Sequence, residues 1–505
     1  MGEWYIWVVG RTNQKQSTVK LQKLLFGVLS ILGAGFTALF LVLALIRLRY
    51  PFELEWMEGA IVDHVLRIMH GQPLYAKPSL EFIPFIYTPL FYYVSAVVSW
   101  IIGPGFLAVR LVSILSTISV FALIFQWVKR ETNSKLLSAT SVGLFAASYG
   151  ACGYWYDIGR VDMLAIALLF GAGYLIRGGS EVRRFLIAGC LLGLAFLAKQ
   201  STLLPTITLT LYAVYYGRLK SLWLVLPALA VVLGTTLWFD AALSGWYSYY
   251  VFVLPNRHTL DTNLVLGFWT KDIFRQVPIM LITFLALVTG LRGKEGRQDR
   301  LFWICFVIGA LASSWSMRMF AGGFENALIP TAAVLAITAG IFLGKLSDPT
   351  FKIAGAPSSK YVTVFAALFV VQFGLLWYNP AKQIPTKADE EWGNKFIDRL
   401  KAVQGEILLP YHGYIPVLAG KTSCAHKMAL VEIRSGDSMA YAELERDIKA
   451  TIAEKKHAAI ILNADWFSDD VAASYRNLGD PFPDRSMFYP VTGLATRPHY
   501  WFVPR

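Results

Sequence analysis

The chain has 505 residues, 56% of them hydrophobic and 16% charged, against about 25% charged in a soluble domain. With repeated apolar runs of roughly 20 residues this excludes a soluble globular protein and gives a polytopic membrane protein. The net charge of +13 sits mostly in short loops between apolar runs, which is the positive-inside pattern and not a nucleic-acid surface.

Arg11, Lys15 and Lys20 precede the first apolar run, residues 24–46, which puts the N-terminus in the cytoplasm. No small-residue cleavage site follows the run, so it reads as an anchor. Next comes the stretch 51–64, PFELEWMEGAIVDH, with Glu53, Glu55 and Glu58 just past a span exit. Acids are costly beside a bilayer and are kept there for function. Two apolar stretches follow. Residues 85–102, rich in aromatics and with Pro89 inside, read as a juxtamembrane helix on the outer face. Residues 106–128 read as the second span.

Basic loops then recur at 129–135, 177–184, 218–220, 292–300 and 345–360. If all five are cytoplasmic, the segments between them pair as hairpins at 136–152 with 161–177, 184–198 with 203–217, 221–243 with 276–292, and 301–319 with 328–344. A last span at 361–378 completes an expected all-α bundle of about eleven transmembrane helices and leaves the C-terminus outside. The expected transmembrane module is 1–380, with outer loops at 48–105 and 244–275. In the tail, EILLP and AAIILN read as strands and AYAELERDIKATIAEKKH as an amphipathic helix, giving a small extracytoplasmic α/β domain over 395–505. The four cysteines make no disulfide framework or CxxC site.

This topology gathers scattered polar residues on one face. Beside the three glutamates stand His64, Tyr87 and Arg110. The turn YWYDIGRVD adds Asp157, Arg160 and Asp162, and the turn AKQST adds Lys199 and Gln200. The long loop adds Asn256, Arg257 and His258, and the turn MRMFAGGFENALIP adds Asn326. Such a set suits glycosyl transfer from a lipid phosphate. A carboxylate takes the acceptor proton, while Lys and Arg hold the departing phosphate. On that reading Glu55, Glu58 or Glu53 is the base. Arg110, Lys199, Arg257 and His258 bind phosphate. His64, Tyr87, Asp157, Arg160, Asp162, Gln200, Asn256 and Asn326 line the sugar and acceptor pocket. Plainer roles stand beside these: solvated loop acids, a first-turn acid at Glu58, snorkelling at Arg110 and Lys199, and a salt-bridged turn at DIGRVD.

The runs ELEWMEGAIVDHVLRIMHGQPLYA, IYTPLFYYVSA and AVRLVS resemble the opening of GT-C glycosyltransferases, and most resemble the bacterial protein O-mannosyltransferase and aminoarabinose-transferase group. YDIGRVDML and AKQSTLLP are similar to that group's later turns, and the resemblance covers roughly 24–345. It implies an inverting transferase of a bacterial-type inner membrane, using a polyprenyl-phosphate-linked sugar and a glycan, lipid or protein acceptor. It calls for no firm cofactor and no metal ligand set, with a divalent cation left open. The group's acidic pair falls here on Met57–Glu58, and its lysine before the Pro-rich helix is Tyr87. The alternative reading is a transporter or lipid flippase. Against it, no internal repeat is visible and the acids lie at span exits rather than midplane.

Overall fold

The computed structural model describes residues 2–291, 293–348, 350–353 and 356–505, without the side chains of 2–18 and 293–295. Arg11, Lys15 and the 292–295 part of the fourth basic loop therefore lie outside the described side chains. The chain is mostly helical, with a small mixed sheet near its C-terminus.

Helices occupy the eleven segments read as spans. Among the described residues six are long and apolar enough to cross a bilayer unaided: Val19–Leu48, Phe106–Thr132, Gln200–Ala242, Gly296–Arg318, Glu325–Lys345 and Ser358–Leu375. The pair Thr262–Gln276 and Pro278–Gly290, bent by 86°, makes a seventh if counted as one span. The difference from eleven is that Gln200–Ala242, which holds two of the expected spans, counts once and that three helices are short. A bilayer core needs about 20 helical residues, whereas α5 (Lys135–Ala147), α6 (Asp162–Arg177) and α7 (Val182–Ala198) have 13, 16 and 17.

The run Gln200–Ala242 turns at Arg218 (φ 48°), dividing it into α8 (Leu203–Gly217) and α9 (Leu222–Ala242). Gly217, at the end of α8, lies against Phe185 near the start of α7, so those two are antiparallel. Gly189 and Gly193 of α7 then meet α9 at Leu224 and Val231, so α7 and α9 run parallel at close range. Small residues let helix backbones approach where lipid gives no hydrophobic drive. The same holds for Ile329–Lys345 at the bundle centre, whose Thr, Ala and Gly content lets every residue from Ile329 to Leu343 be buried.

The loops sort by end. At one end Arg177 bonds both Glu131 and Asp299 at 2.9 Å, tying three basic loops together. At the other end lie α2 (Glu58–Met69), the three polar turns and the C-terminal domain. Between α2 and α4 (Phe106–Thr132) runs α3 (Leu90–Ile102). It buries Phe91, Tyr92 and Ala96 and exposes Tyr93, Val97, Trp100 and Ile101, as a helix half-sunk in an interface does.

In the C-terminal domain the strands order as Ile407–Leu408, Ala459–Leu462, Tyr500–Pro504 and Tyr475–Asn477; the first pair is parallel and the others antiparallel. The two strands in the chain's last 31 residues carry no pattern legible in the sequence. Before the sheet, Lys387–Ala402 begins on a capping box between Thr386 and Asp389. This domain is pinned to the bundle by its loops. Ala425 N donates to Leu80 O at 2.8 Å, and Thr492 N donates to Leu54 O at 2.9 Å.

Candidate active site

The acidic loop is folded by cations brought from elsewhere. Glu58 opens α2, and both its oxygens are filled. Oε1 accepts from Arg110 Nε at 2.8 Å and from Gly159 N at 2.7 Å; Oε2 accepts from Arg110 Nη2 at 2.7 Å and from Leu54 N at 2.9 Å. Arg110 is fully buried and spends its remaining protons on the carbonyls of Arg47, Tyr50 and Phe52. Asp157 is likewise buried against Arg47 at 2.8 Å and accepts from Tyr149 OH at 2.7 Å. The geometry makes Glu58, Arg110 and Asp157 a buried clamp between the loop, α4 and the turn 148–161, away from the pocket and phosphate roles expected of them.

Glu55 is placed differently. Its Oε2 meets Arg160 Nη1 at 3.1 Å, and Arg160 Nη2 donates to Tyr87 OH at 2.8 Å. The Arg160 guanidinium also lies over the rings of Tyr87 and Trp155. Burial pushes the Glu55 carboxyl up to about 7 against the opposing pull of Arg160. That is the range in which a general base works best at neutral pH.

Beyond Arg160 the chain enters α6, and Asp162 Oδ1 accepts from Lys199 Nζ at 2.6 Å and Asn326 Nδ2 at 2.9 Å. Its second oxygen is buried without a partner. These three side chains line a narrow cleft together with Ser201, Thr202 and Ser313 and with the apolar Ala165, Ile166, Leu169, Met317, Ile329 and Pro330. Polar groups beside an apolar slot suit a headgroup with a hydrocarbon tail. Gln200 reaches the same region, donating to Ile86 O at 2.7 Å.

Other expected residues lie apart. His64 is buried and stacked on Phe85 and Tyr92; its Nδ1 pairs with Ala60 O at 2.6 Å and its Nε2 accepts from Phe85 N at 2.9 Å. Burial lowers its imidazolium to about 3, so it is a neutral structural group. Arg257 donates to Gly436 O and His258 pairs with Glu432, so both dock the long loop on the helix Lys427–Gly436. Asn256 is exposed. Glu53 faces the C-terminal domain, with Oε2 2.5 Å from His412 Nδ1. Among the described residues no group of three or more His, Cys, Asp or Glu side chains is arranged to hold a metal ion.

Sequence reasoning missed the C-terminal contribution. His412, Asn463, Thr492 and Gly493 all reach the acidic loop or its partners, Arg47 Nη2 donating to Thr492 Oγ1 at 2.9 Å. They are single loop residues with no periodic signature.

Residues 86–239 match the family described as dolichyl-phosphate-mannose-protein mannosyltransferase. Most of the chain superposes on crystal structures of ArnT from Cupriavidus metallidurans. Against the form bound to undecaprenyl phosphate the TM-score is 0.60 at 12% identity, covering 93% of this chain and 98% of that one. Against the apo form it is 0.57 at 13% identity, with the same coverage. The chain shares the fold of these ArnT structures, and its segment 86–239 is similar to the mannosyltransferase family. None of the curated proteins compared with it matches. The matched segment takes in Tyr87, Arg110, Asp157, Arg160, Asp162, Lys199 and Gln200, and leaves out both the acidic loop and the C-terminal domain.

Proposed function

We propose that the enzyme moves a sugar from a polyprenyl-phosphate donor to an acceptor hydroxyl or amine outside the cytoplasm, with inversion, and that Glu55 is the base. The observation that carries this reading is the contrast between two neighbours. Glu58 has both oxygens committed to four donors, while Glu55 is held by Arg160 beside Tyr87, next to the Asp162–Lys199 cavity.

On this reading Glu55 takes the acceptor proton as the acceptor attacks the anomeric carbon, and the bond from that carbon to the phosphate oxygen breaks with both electrons on the phosphate. Lys199 and Arg160 offset the growing negative charge. Asp162 and Asn326 position the Lys199 ammonium, and the apolar wall takes the first isoprene units. The donor class is supported by the undecaprenyl phosphate of the similar ArnT structure and by the family description. Eleven crossings, a cytoplasmic N-terminus, an inner-membrane location and an extracytoplasmic domain over 395–505 belong to this same proposal; the sorting of basic loops to one end and the polar turns to the other supports them.

The test is incubation of purified enzyme with labelled polyprenyl-phosphate sugars of several kinds, comparing wild type with Glu55→Gln. Donor consumption by wild type and a loss of at least about a hundredfold in the variant are expected. Full activity in Glu55→Gln would sink the assignment.

A further inference from the structure

Around the acidic loop every buried cation has one acid. Arg47 faces Asp157, Arg110 faces Glu58 and Arg160 faces Glu55. Glu53 is left over. It is buried; among the described residues its one side-chain partner is the imidazole of His412, and its Oε1, beside the backbone of Gly59, has no side-chain partner. A lone buried carboxylate is costly enough that such a group takes up a proton instead.

The C-terminal domain dictates where that proton lies. Asn463 follows the strand Ala459–Leu462, and one orientation of its amide satisfies all its neighbours. In that orientation Oδ1 accepts from Arg497 N at 3.3 Å, Thr496 Oγ1 at 2.7 Å and His412 Nε2 at 2.9 Å. The backbone N–H of Arg497 can only donate, which fixes the amide, and the amide oxygen then requires the hydrogen of His412 on Nε2. The 2.5 Å contact of Nδ1 with Glu53 Oε2 then joins either a neutral imidazole to a protonated carboxyl or an imidazolium to a carboxylate. Both groups are buried, and Glu55, Glu58 and Asp63 lie near Glu53, which favours the neutral pair.

We infer that His412 is a positioning residue that holds Glu53 as a neutral acid, so that Glu55 is the loop's free acid able to ionise for catalysis. The inference rests on the reading of Glu55 as base. The directions of titration agree: burial lowers His412 to about 3, while burial and the nearby acids push Glu53 well up. The groups facing the pair are Glu55, Glu58 and Asp63 from the loop and α2, Tyr50 before them, Arg110 from α4 through Phe52 O, and Tyr489 and His426 from the C-terminal domain. Three of these are acids, so ionising Glu53 adds to a negative field at Glu55 and works against its own ionisation.

The test is a double-mutant cycle on the full-length enzyme. In His412→Gln the side-chain amide can donate to Glu53 and let it ionise. The acidic limb of the transfer rate should then move up by about one pH unit, a loss of roughly tenfold in rate below the limb. Adding Glu53→Gln removes the charge and should return the limb to its wild-type position. A limb unmoved by His412→Gln, or a shift that Glu53→Gln does not reverse, would overturn the inference. Infrared difference spectra at neutral pH give a readout free of activity. Wild type should show a protonated-carboxyl band that Glu53→Gln removes, and its absence from wild type would overturn the neutral acid even if His412→Gln fails to fold. If that band is present but Glu55→Gln is fully active, the neutral Glu53 stands and the reading of Glu55 falls.

Discussion

Gly493 of the C-terminal domain packs directly on Glu55: a β-carbon built on it would stand 2.8 Å from Glu55 Cγ, and its φ of +75° suits glycine alone. The proposed base is thus braced from both sides, by Arg160 of the bundle and by a loop more than 400 residues downstream. Gly493→Ala should cost about 1 kcal/mol of stability from backbone strain and lower the transfer rate by a larger factor than that loss implies. Thermal melting beside donor consumption checks the pairing. Equal activity in a melted-down variant would show that the contact does not position Glu55.

Glu58→Gln should behave unlike Glu55→Gln. Glu58 and Arg110 are both fully buried, and removing one charge strands the other at a cost of about 3–5 kcal/mol. The expected outcome is poor yield and a lowered melting temperature, whereas Glu55→Gln folds normally and fails in transfer. A stable, active Glu58→Gln would remove the clamp from the account.

Rate should rise with pH through about 7, since a base must be ionised and burial lifts Glu55 to about that value. Arg160 opposes the lift, so Arg160→Gln should move the limb further up, while Tyr87→Phe, which deletes the bond to Arg160 Nη2, should lower the rate with little change in position. A rate that is flat from pH 5 to 8 would count against Glu55.

Lys199→Ala should raise the donor KM by about tenfold and affect the acceptor KM little, because Lys199 lines the cleft with Asp162 and Asn326. The double variant Lys199→Ala with Asp162→Asn separates lost phosphate contact from a stranded acid. Restored donor KM in the double would mean that Lys199 serves Asp162 alone.

What was legible in the sequence was sidedness. The basic loops recur with the period of hairpins, which places the polar turns at one end, and Glu55, Arg160, Asp162, Lys199 and Asn326 meet there. Pairing was not legible. Nothing local distinguishes Glu58 from Glu55; the difference lies in Arg110, 52 residues on, and Gly159, 101 residues on. Arg257 and His258 read as phosphate ligands because charge carries no record of a partner such as Glu432, 174 residues away from His258. Helix length alone does not mark every expected span, since α5, α6 and α7 have 13, 16 and 17 residues.

The bond from Arg47 to Thr492 joins residues 445 apart, and it has a meaning for biogenesis. The first loop leaves the ribosome with its acids exposed and must wait for nearly the whole chain before Thr492, Gly493 and His412 arrive to close around it. On the proposed function, a chain assembled in that order would not spend lipid-linked sugar while still being made.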